Sequence, residues 1–319
     1  MVIVGICLIH VFGGYENRLP PPASNHRMKP ALFEYHAPTS IEEALVLLRD
    51  TEGDAKLLAG GQSLVPAMNF RVVQPSTLID LNRIHELDYL HEDGDCIRIG
   101  AMTRERTLEL SPLVAEKSPL LAEAMPYVAH PQIRNRGTLG GSLANADPAA
   151  ELPVLMLALD ARLKVRSADS ERWVDAHNFF SGMFTTDLAP NEMLVEIELP
   201  SQPARTGWSF MEVAPRMGDY ALMGVAALMT LDESGNCKTA KLVYLNAGDG
   251  PVEAKQAAQI LQNETLNDRL IEQAALTASE QEINPFGNIH ASPEFQRHLA
   301  NVLTRRALKL AIQRAGEMQ

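Results

Sequence analysis

The chain has 319 residues, 40 of them Asp or Glu against 28 Lys or Arg, for a formal net charge of −12. At about 150 residues per domain the length predicts two domains, and 46% apolar with 21% charged residues suits a globular chain with a sizeable core. The acid excess argues against a nucleic acid or an anionic membrane as partner, since both need a basic surface, but an anionic cofactor can still be held locally by backbone N–H groups.

The chain opens with the apolar run VIVGICLIHVFG (residues 2–13). That run is too short for a spanning helix, which needs about 20 such residues. No Lys or Arg precedes it and no A-x-A site follows, so it does not read as an export signal. A proline-rich stretch, NRLPPPASNHR, leads to Met28. Residues 1–27 are therefore expected to be an extension outside the fold.

From Met28 helical and strand patterns alternate. Ser40-Ile41-Glu42-Glu43 fits a capping box that starts an amphipathic helix through ALVLL. KLLAG (56–60) reads as a short buried strand, and STLIDL (76–81) and IRIGAM (97–102) as further strands. Thr103 is placed to cap a short helix reaching residue 110. Ser118-Pro119 opens another, ending near His130-Pro131. Asp147-Pro148 repeats that start signal ahead of the apolar helix ELPVLMLALD. ARLKVRS (161–167) and EMLVEIELP (192–200) are strands.

Ser201 to Thr206 (SQPART) is polar and turn-rich, and marks the expected domain boundary. Three strand-like runs follow, at 208–215, 221–231 and 238–248. Three helical patterns come after them, near 251–262, 266–281 and 293–315, the last with Ser292 as N-cap and Pro293 at the first helical position. A block of strands followed by a block of helices predicts an α+β unit with helices on one face of an antiparallel sheet.

Two loops carry a Gly-Gly pair closely followed by Ser: Ala59-Gly60-Gly61-Gln62-Ser63-Leu64 and Thr138-Leu139-Gly140-Gly141-Ser142-Leu143. Paired glycines adopt positive φ without steric cost and let a ligand approach the backbone. Their successive N–H groups can form an anion nest. Two such loops in one domain point to a split pyrophosphate site. The G-x-G-x-x-G fingerprint, the P-loop, H-E-x-x-H and G-x-S-x-G are all absent. His130 and His177 have no neighbouring ligand pattern and are assigned packing or surface roles; no metal site is expected. The three cysteines, Cys7, Cys96 and Cys237, are widely spaced with no C-x-x-C, so neither a disulfide framework nor structural zinc is indicated. A [2Fe–2S] cluster normally takes four thiolates, more than this chain has. The cysteine usage fits a reducing, cytoplasmic compartment.

Several long segments now carry a family likeness: KPALFEYHAPTSIEEALVLL, LLAGGQSLVPAM, STLIDLNRI, IRIGAMT, HPQIRNRGTLGGSLANADPAAELP and FMEVAPRMGDYALMGVAA. In this order, from Met28 to about Arg314, the chain resembles the FAD-binding medium subunit of molybdenum hydroxylases, the carbon-monoxide dehydrogenase and xanthine dehydrogenase type. The resemblance implies a two-subdomain FAD-binding domain of the PCMH/VAO type over 28–204, with subdomains at about 28–82 and 83–204. It implies a C-terminal domain over 205–319 with a three-stranded antiparallel sheet and helices. The family's pyrophosphate loops fall on Ala59, Gly60, Gly61, Gln62, Ser63 and Leu64, and on Thr138, Leu139, Gly140, Gly141 and Ser142. Asn145, Asp147 and Glu151 are the polar candidates that follow. Glu151 stands where the family often has an acid, commonly Asp, contacting the adenosine side; Asp147 is equally placed as a helix N-cap. Arg134 and Arg136 precede the second loop, where a guanidinium can support it or offset phosphate charge. Ala101 and Thr103 match a segment lining the FAD site, and Tyr220 matches an aromatic beside the isoalloxazine. Some relatives carry a Lys near the flavin where this chain has Met211 and Glu212.

No His, Cys or Tyr lies in residues 57–66, so noncovalent FAD is implied, with no catalytic residue in this chain. The resemblance also implies partners: a large subunit holding the molybdenum cofactor and a small one holding two [2Fe–2S] clusters, as a dimer of heterotrimers. Electrons would run from those clusters through FAD to an external acceptor such as NAD, a quinone or oxygen. The alternatives are a stand-alone FAD-dependent dehydrogenase, which would need a general base near the flavin, and a nonenzymatic protein using the nucleotide site structurally.

Overall fold

The computed structural model describes residues 28–51 and 53–317. The expected extension, residues 1–27, lies outside them. Among the described residues three larger sheets and one two-stranded sheet, Phe180–Gly182 with Thr185–Thr186, organise the chain. The first is parallel, in the order Glu34–His36, Thr77–Asp80, Ala55–Leu58. The helix Ile41–Asp50 covers it, burying Ile41, Ala44, Leu45 and Leu48. That i, i+3, i+4, i+7 spacing is one helical stripe. Ser40 Oγ accepts from Glu43 N–H at 3.2 Å. The Glu43 carboxylate reaches back to Thr39 N–H (2.9 Å), one residue upstream of the reciprocal capping-box bond.

The second sheet is antiparallel throughout: Leu90–Asp93, Cys96–Gly100, Met193–Pro200, Arg162–Arg166, Glu171–Asp175. Along Met193–Pro200, Ile197 and Leu199 face the core, while Glu196 and Glu198 bind Arg98 on the outer face. The helix Glu151–Ala158 is buried on every residue, as expected of a helix that is apolar all round. It packs on this sheet and also on the third one, so Leu152 and Leu155 share a single core with Phe210, Ala226, Val243 and Leu245.

The third sheet is antiparallel and runs Thr206–Val213, Met223–Leu231, Cys237–Leu245, Val252–Glu253. It has four strands rather than the three expected, because Val252–Glu253 pairs with Val243 and Tyr244 where a helix start was read. Two residues carry no periodicity by which to recognise a strand. Met223–Leu231 is buried along its whole length, between the apolar helix just described and Pro293–Glu317. Gly207 allows that last helix to close on the sheet: a β-carbon there would lie 1.8 Å from the Ala311 carbonyl oxygen. Among the described residues no helix is long and apolar enough to cross a membrane.

Several local expectations shift. Thr103 does not cap its helix; Arg104 takes the N-cap position of Glu105–Leu110, and Thr103 Oγ1 donates to the Tyr89 carbonyl at 2.7 Å. The helix opened by Ser118-Pro119 ends at Ala124, and Met125–Tyr127 continues as a 3₁₀ turn around Pro126. Asp147 accepts from Ala149 N–H at 2.9 Å in a local turn, so the next helix begins at Glu151 with Ala150 as its cap residue. The strand Glu171–Asp175 escaped notice because its charged ends, ERWVD, hide the alternation.

Candidate functional site

The first glycine loop leaves the strand Ala55–Leu58 and enters the helix Leu64–Asn69. Gly61 has φ +73°, a conformation that favours glycine. Gln62 folds its side-chain amide onto the Gly60 carbonyl (2.9 Å). Among the described residues, the backbone N–H groups of Gly60, Gly61, Gln62, Ser63 and Leu64 donate to no acceptor, the first intraloop bond being Val65 N–H to Gly61. Gly61, Gln62 and Leu64 are half-buried and Ser63 is exposed. This loop keeps a donor set for an anion.

The second loop differs. Leu139 N–H donates to the Thr103 carbonyl (3.1 Å) and Gly140 N–H to the Ala101 carbonyl (2.9 Å). Gly141 N–H donates to Thr138 Oγ1 (3.1 Å) and Ser142 N–H to the Thr138 carbonyl (3.1 Å). It is the capped first turn of the helix Leu139–Asn145, and its N–H groups are already used. The matching nest expected here is therefore not formed. What it offers is a rigid wall with Gly141 and Ser142 half-buried at its surface. Ala101 and Thr103 are buried, and they serve this wall through their carbonyls rather than lining a cleft.

The two loops meet. A β-carbon on Gly60 would lie 2.3 Å from the Arg136 carbonyl oxygen, and one on Gly141 would lie 3.2 Å from Ala59 Cβ. Arg104, which the sequence reading passed over, ties them. It donates to Asn82 Oδ1 (2.7 Å) and to the Arg136 carbonyl. Asn82 in turn donates to the Ala59 carbonyl (2.9 Å). One guanidinium thus spans from the base of the first loop to the entry of the second. Arg134 lies elsewhere: it is buried, forks onto both Glu109 oxygens (2.7 and 2.8 Å) and donates to the Val128 and Ala129 carbonyls. It supports the 128–130 turn, not a phosphate. It also holds the Glu109 carboxyl below its ordinary range. Arg136 is exposed, and its carbonyl accepts from Arg104.

Beyond the second loop, Asn145 is half-buried and Ala146 turns through φ +47° to Asp147. Burial pushes the Asp147 carboxyl up. Burial also pushes Glu151 up to about 7, with Asp147 adding to it and the helix N–H groups opposing. Tyr220 is 62% exposed, and partial desolvation of its phenol, with Asp147 and Glu151 nearby, raises its pKa. Tyr220 thus lies close enough to Asp147 and Glu151 for both acids to act on its phenol. The loop carrying Tyr220 rests on the 128–130 turn. Gly218 has φ +83°, and a β-carbon there would lie 2.5 Å from His130 Nδ1.

Two further acids were not anticipated. Glu105 and Glu212 each keep a buried Oε2 with no partner. Burial, with Glu151 adding to it, pushes each up to about 8. Nothing in ERTLEL or FMEVAP distinguishes them from surface or strand glutamates. Among the described residues no His, Cys, Asp or Glu cluster could hold a metal ion.

Two family models match this chain: the FAD binding domain in molybdopterin dehydrogenase over residues 31–202 and the CO dehydrogenase flavoprotein C-terminal domain over residues 208–311. The 6-hydroxypseudooxynicotine dehydrogenase complex subunit alpha of Paenarthrobacter nicotinovorans is 42% identical over 288 residues, 90% of this chain and 97% of that one. The carbon monoxide dehydrogenase medium chain of Hydrogenophaga pseudoflava is 38% identical, over 89% of this chain and 98% of that one. A solved structure of the carbon monoxide dehydrogenase from Hydrogenophaga pseudoflava, lacking the Mo-pyranopterin moiety of its cofactor, superposes with a TM-score of 0.87. It is 38% identical and covers 89% of this chain and 99% of that one.

Proposed function

Since the chain belongs to the FAD-binding medium subunits of molybdenum hydroxylases and is an oxidoreductase subunit, we propose that it binds FAD noncovalently across its two glycine loops as the electron-transfer subunit of a heterotrimer. The observation that carries this reading is the donor set of Gly60 to Leu64, left free beside a loop that closes against it. Such a set suits a pyrophosphate, whose charge needs several N–H donors and close backbone approach. The residues present fit the cofactor.

In this reading Ala59, Gly60, Gly61, Gln62, Ser63 and Leu64 hold the pyrophosphate. Thr138, Leu139, Gly140, Gly141 and Ser142 form the opposing wall, which Ala101 and Thr103 support from behind. Tyr220 screens the isoalloxazine from water, and Asn145, Asp147 and Glu151 supply polar contacts to the cofactor. The chemistry that FAD supplies when bound is electron transfer, between [2Fe–2S] clusters of a small partner subunit and an external acceptor such as NAD, a quinone or oxygen. The chain's own work is to bind, orient and shield. The large partner would hold the molybdenum cofactor, two heterotrimers would pair, and the complex would reside in the cytoplasm. Residues 28–82 and 83–204 would be the two halves of the FAD domain, with 205–319 appended.

Gentle purification from the native source tests the assignment. The expected product carries oxidised-flavin absorbance that heat or acid releases, together with molybdenum-containing and iron–sulphur chains. Turnover of a substrate by the isolated chain would favour a stand-alone FAD-dependent dehydrogenase instead.

A further inference from the structure

Glu105 sits directly behind the second glycine loop. Its backbone N–H donates to the Gly137 carbonyl at 3.0 Å. Its carboxyl is pressed against the Gly137 α-carbon, where an added β-carbon would lie 2.3 Å from Oε2. The residue is buried and Oε2 has no hydrogen-bond partner.

Three arginines lie near, and each is committed to other groups. Arg104, just before it, is bound to Asn82 and the Arg136 carbonyl. Arg106, on its own helix, pairs with Glu109 at 2.7 Å. Arg134, from the turn Pro131–Arg134, forks onto Glu109 and onto two carbonyls. Of the other groups around it, Met125–Tyr127 brings Tyr127, whose phenol burial keeps neutral. The helix Glu151–Ala158 brings Glu151, a second acid. An ionised Glu105 would be a buried charge with no bonded counterion: Arg134 favours it only from a distance, and burial and Glu151 outweigh that.

We propose that Glu105 is a positioning residue for the second glycine loop: its carboxyl supports the Gly137–Gly141 backbone only while it carries its proton, so that ionising it loosens the loop and releases FAD. The inference rests on the FAD reading above. Ionisation sends one proton to solvent and leaves a carboxylate against Gly137, beside the pyrophosphate wall. Water admitted to solvate that carboxylate would displace the 136–138 backbone from Gly60. Because burial pushes Glu105 up to about 8, the loss falls on the alkaline side of neutrality.

The test is FAD affinity of the full-length chain, read by flavin fluorescence between about pH 6 and 10. The wild-type dissociation constant is expected to rise with pH. Glu105→Gln, neutral throughout, should match wild type at the acid end. Its alkaline rise should be shallower by one proton, about tenfold per pH unit. If Glu105→Gln does not accumulate, Glu105→Met, of similar length and without a titratable group, must show the same shallower profile. A second readout needs no flavin: the FAD-free chain's melting temperature should fall less between neutral and alkaline pH in the variant. An unchanged pH profile in a variant that still binds FAD overturns the proposal alone. So does loss of FAD at every pH by a folded variant. No FAD binding by wild type at any pH overturns the cofactor reading, and this proposal with it.

Discussion

Gly60→Ala should separate the two loops and strip FAD while leaving the rest of the chain folded. The new methyl would lie 2.3 Å from the Arg136 carbonyl oxygen, 2.7 Å from Gly137 Cα and 2.9 Å from the Arg136 carbonyl carbon. All three atoms are backbone, so no rotamer change relieves the overlap. Ordinary contact begins at 3.4 Å, so the loops must part by about 1 Å along the shortest contact. Overpacking of this kind costs about 1–3 kcal/mol of stability, and a displacement of about 1 Å can cost about 100-fold in a function that depends on placement. The assay is FAD content of the purified chain from its visible absorbance, with circular dichroism and a melting curve to establish folding. Gly316→Ala is the control, since nothing lies within 4 Å of that site. Wild-type FAD content in a folded Gly60→Ala chain would refute the claim that the loops close on one another around the cofactor.

Gly141→Val should also abolish FAD retention: its β-carbon would sit 2.7 Å from Thr138 Oγ1, against the acceptor of the Gly141 N–H cap, and flavin absorbance after gel filtration reads the loss. Arg104→Met keeps the length and removes two charge-assisted hydrogen bonds. A loss of about 1.5–3 kcal/mol per bond, moderated by the side chain's partial exposure, predicts weaker FAD retention in equilibrium dialysis. Stability should fall as pH rises from about 4.5 to about 8. Glu105, Glu212 and Glu151 have folded-state pKa values of about 8, 8 and 7, above their unfolded ones, so the folded chain holds more protons. Their stabilising effect is complete below the unfolded carboxyl range and is lost as pH passes the folded values. Urea titrations at several pH values measure this, and Glu212→Gln should reduce the slope.

Much of this architecture was legible because its signals are local. Ser40 ahead of Glu43, the alternation in EMLVEIELP and the three long runs after Thr206 each carry their own period or cap. The glycine pairs were visible for the same reason. What escaped depends on groups distant in the chain. The second loop looked like a nest because nothing in TLGGS reveals that the carbonyls of Ala101 and Thr103 take its N–H groups. Nothing local marks Arg104, since its partners Asn82 and Arg136 lie 22 and 32 residues away. Asp147-Pro148 carries a genuine start signal, but Asp147 satisfies itself with Ala149 N–H, and the helix waits until Glu151. The buried acids leave no mark in sequence at all: Glu105 and Glu212 become unusual only when packing removes water and leaves one oxygen of each without a partner.

The most direct measurement is the flavin content of the purified full-length chain. The cofactor is released by acid or heat, identified by chromatography, and set against the protein concentration. The account predicts FAD, about one per chain, wholly released without proteolysis, with wild-type retention lost in Gly60→Ala and kept in Gly316→Ala. A folded chain without flavin, a flavin that stays attached after denaturation, or equal retention in both glycine variants would contradict it.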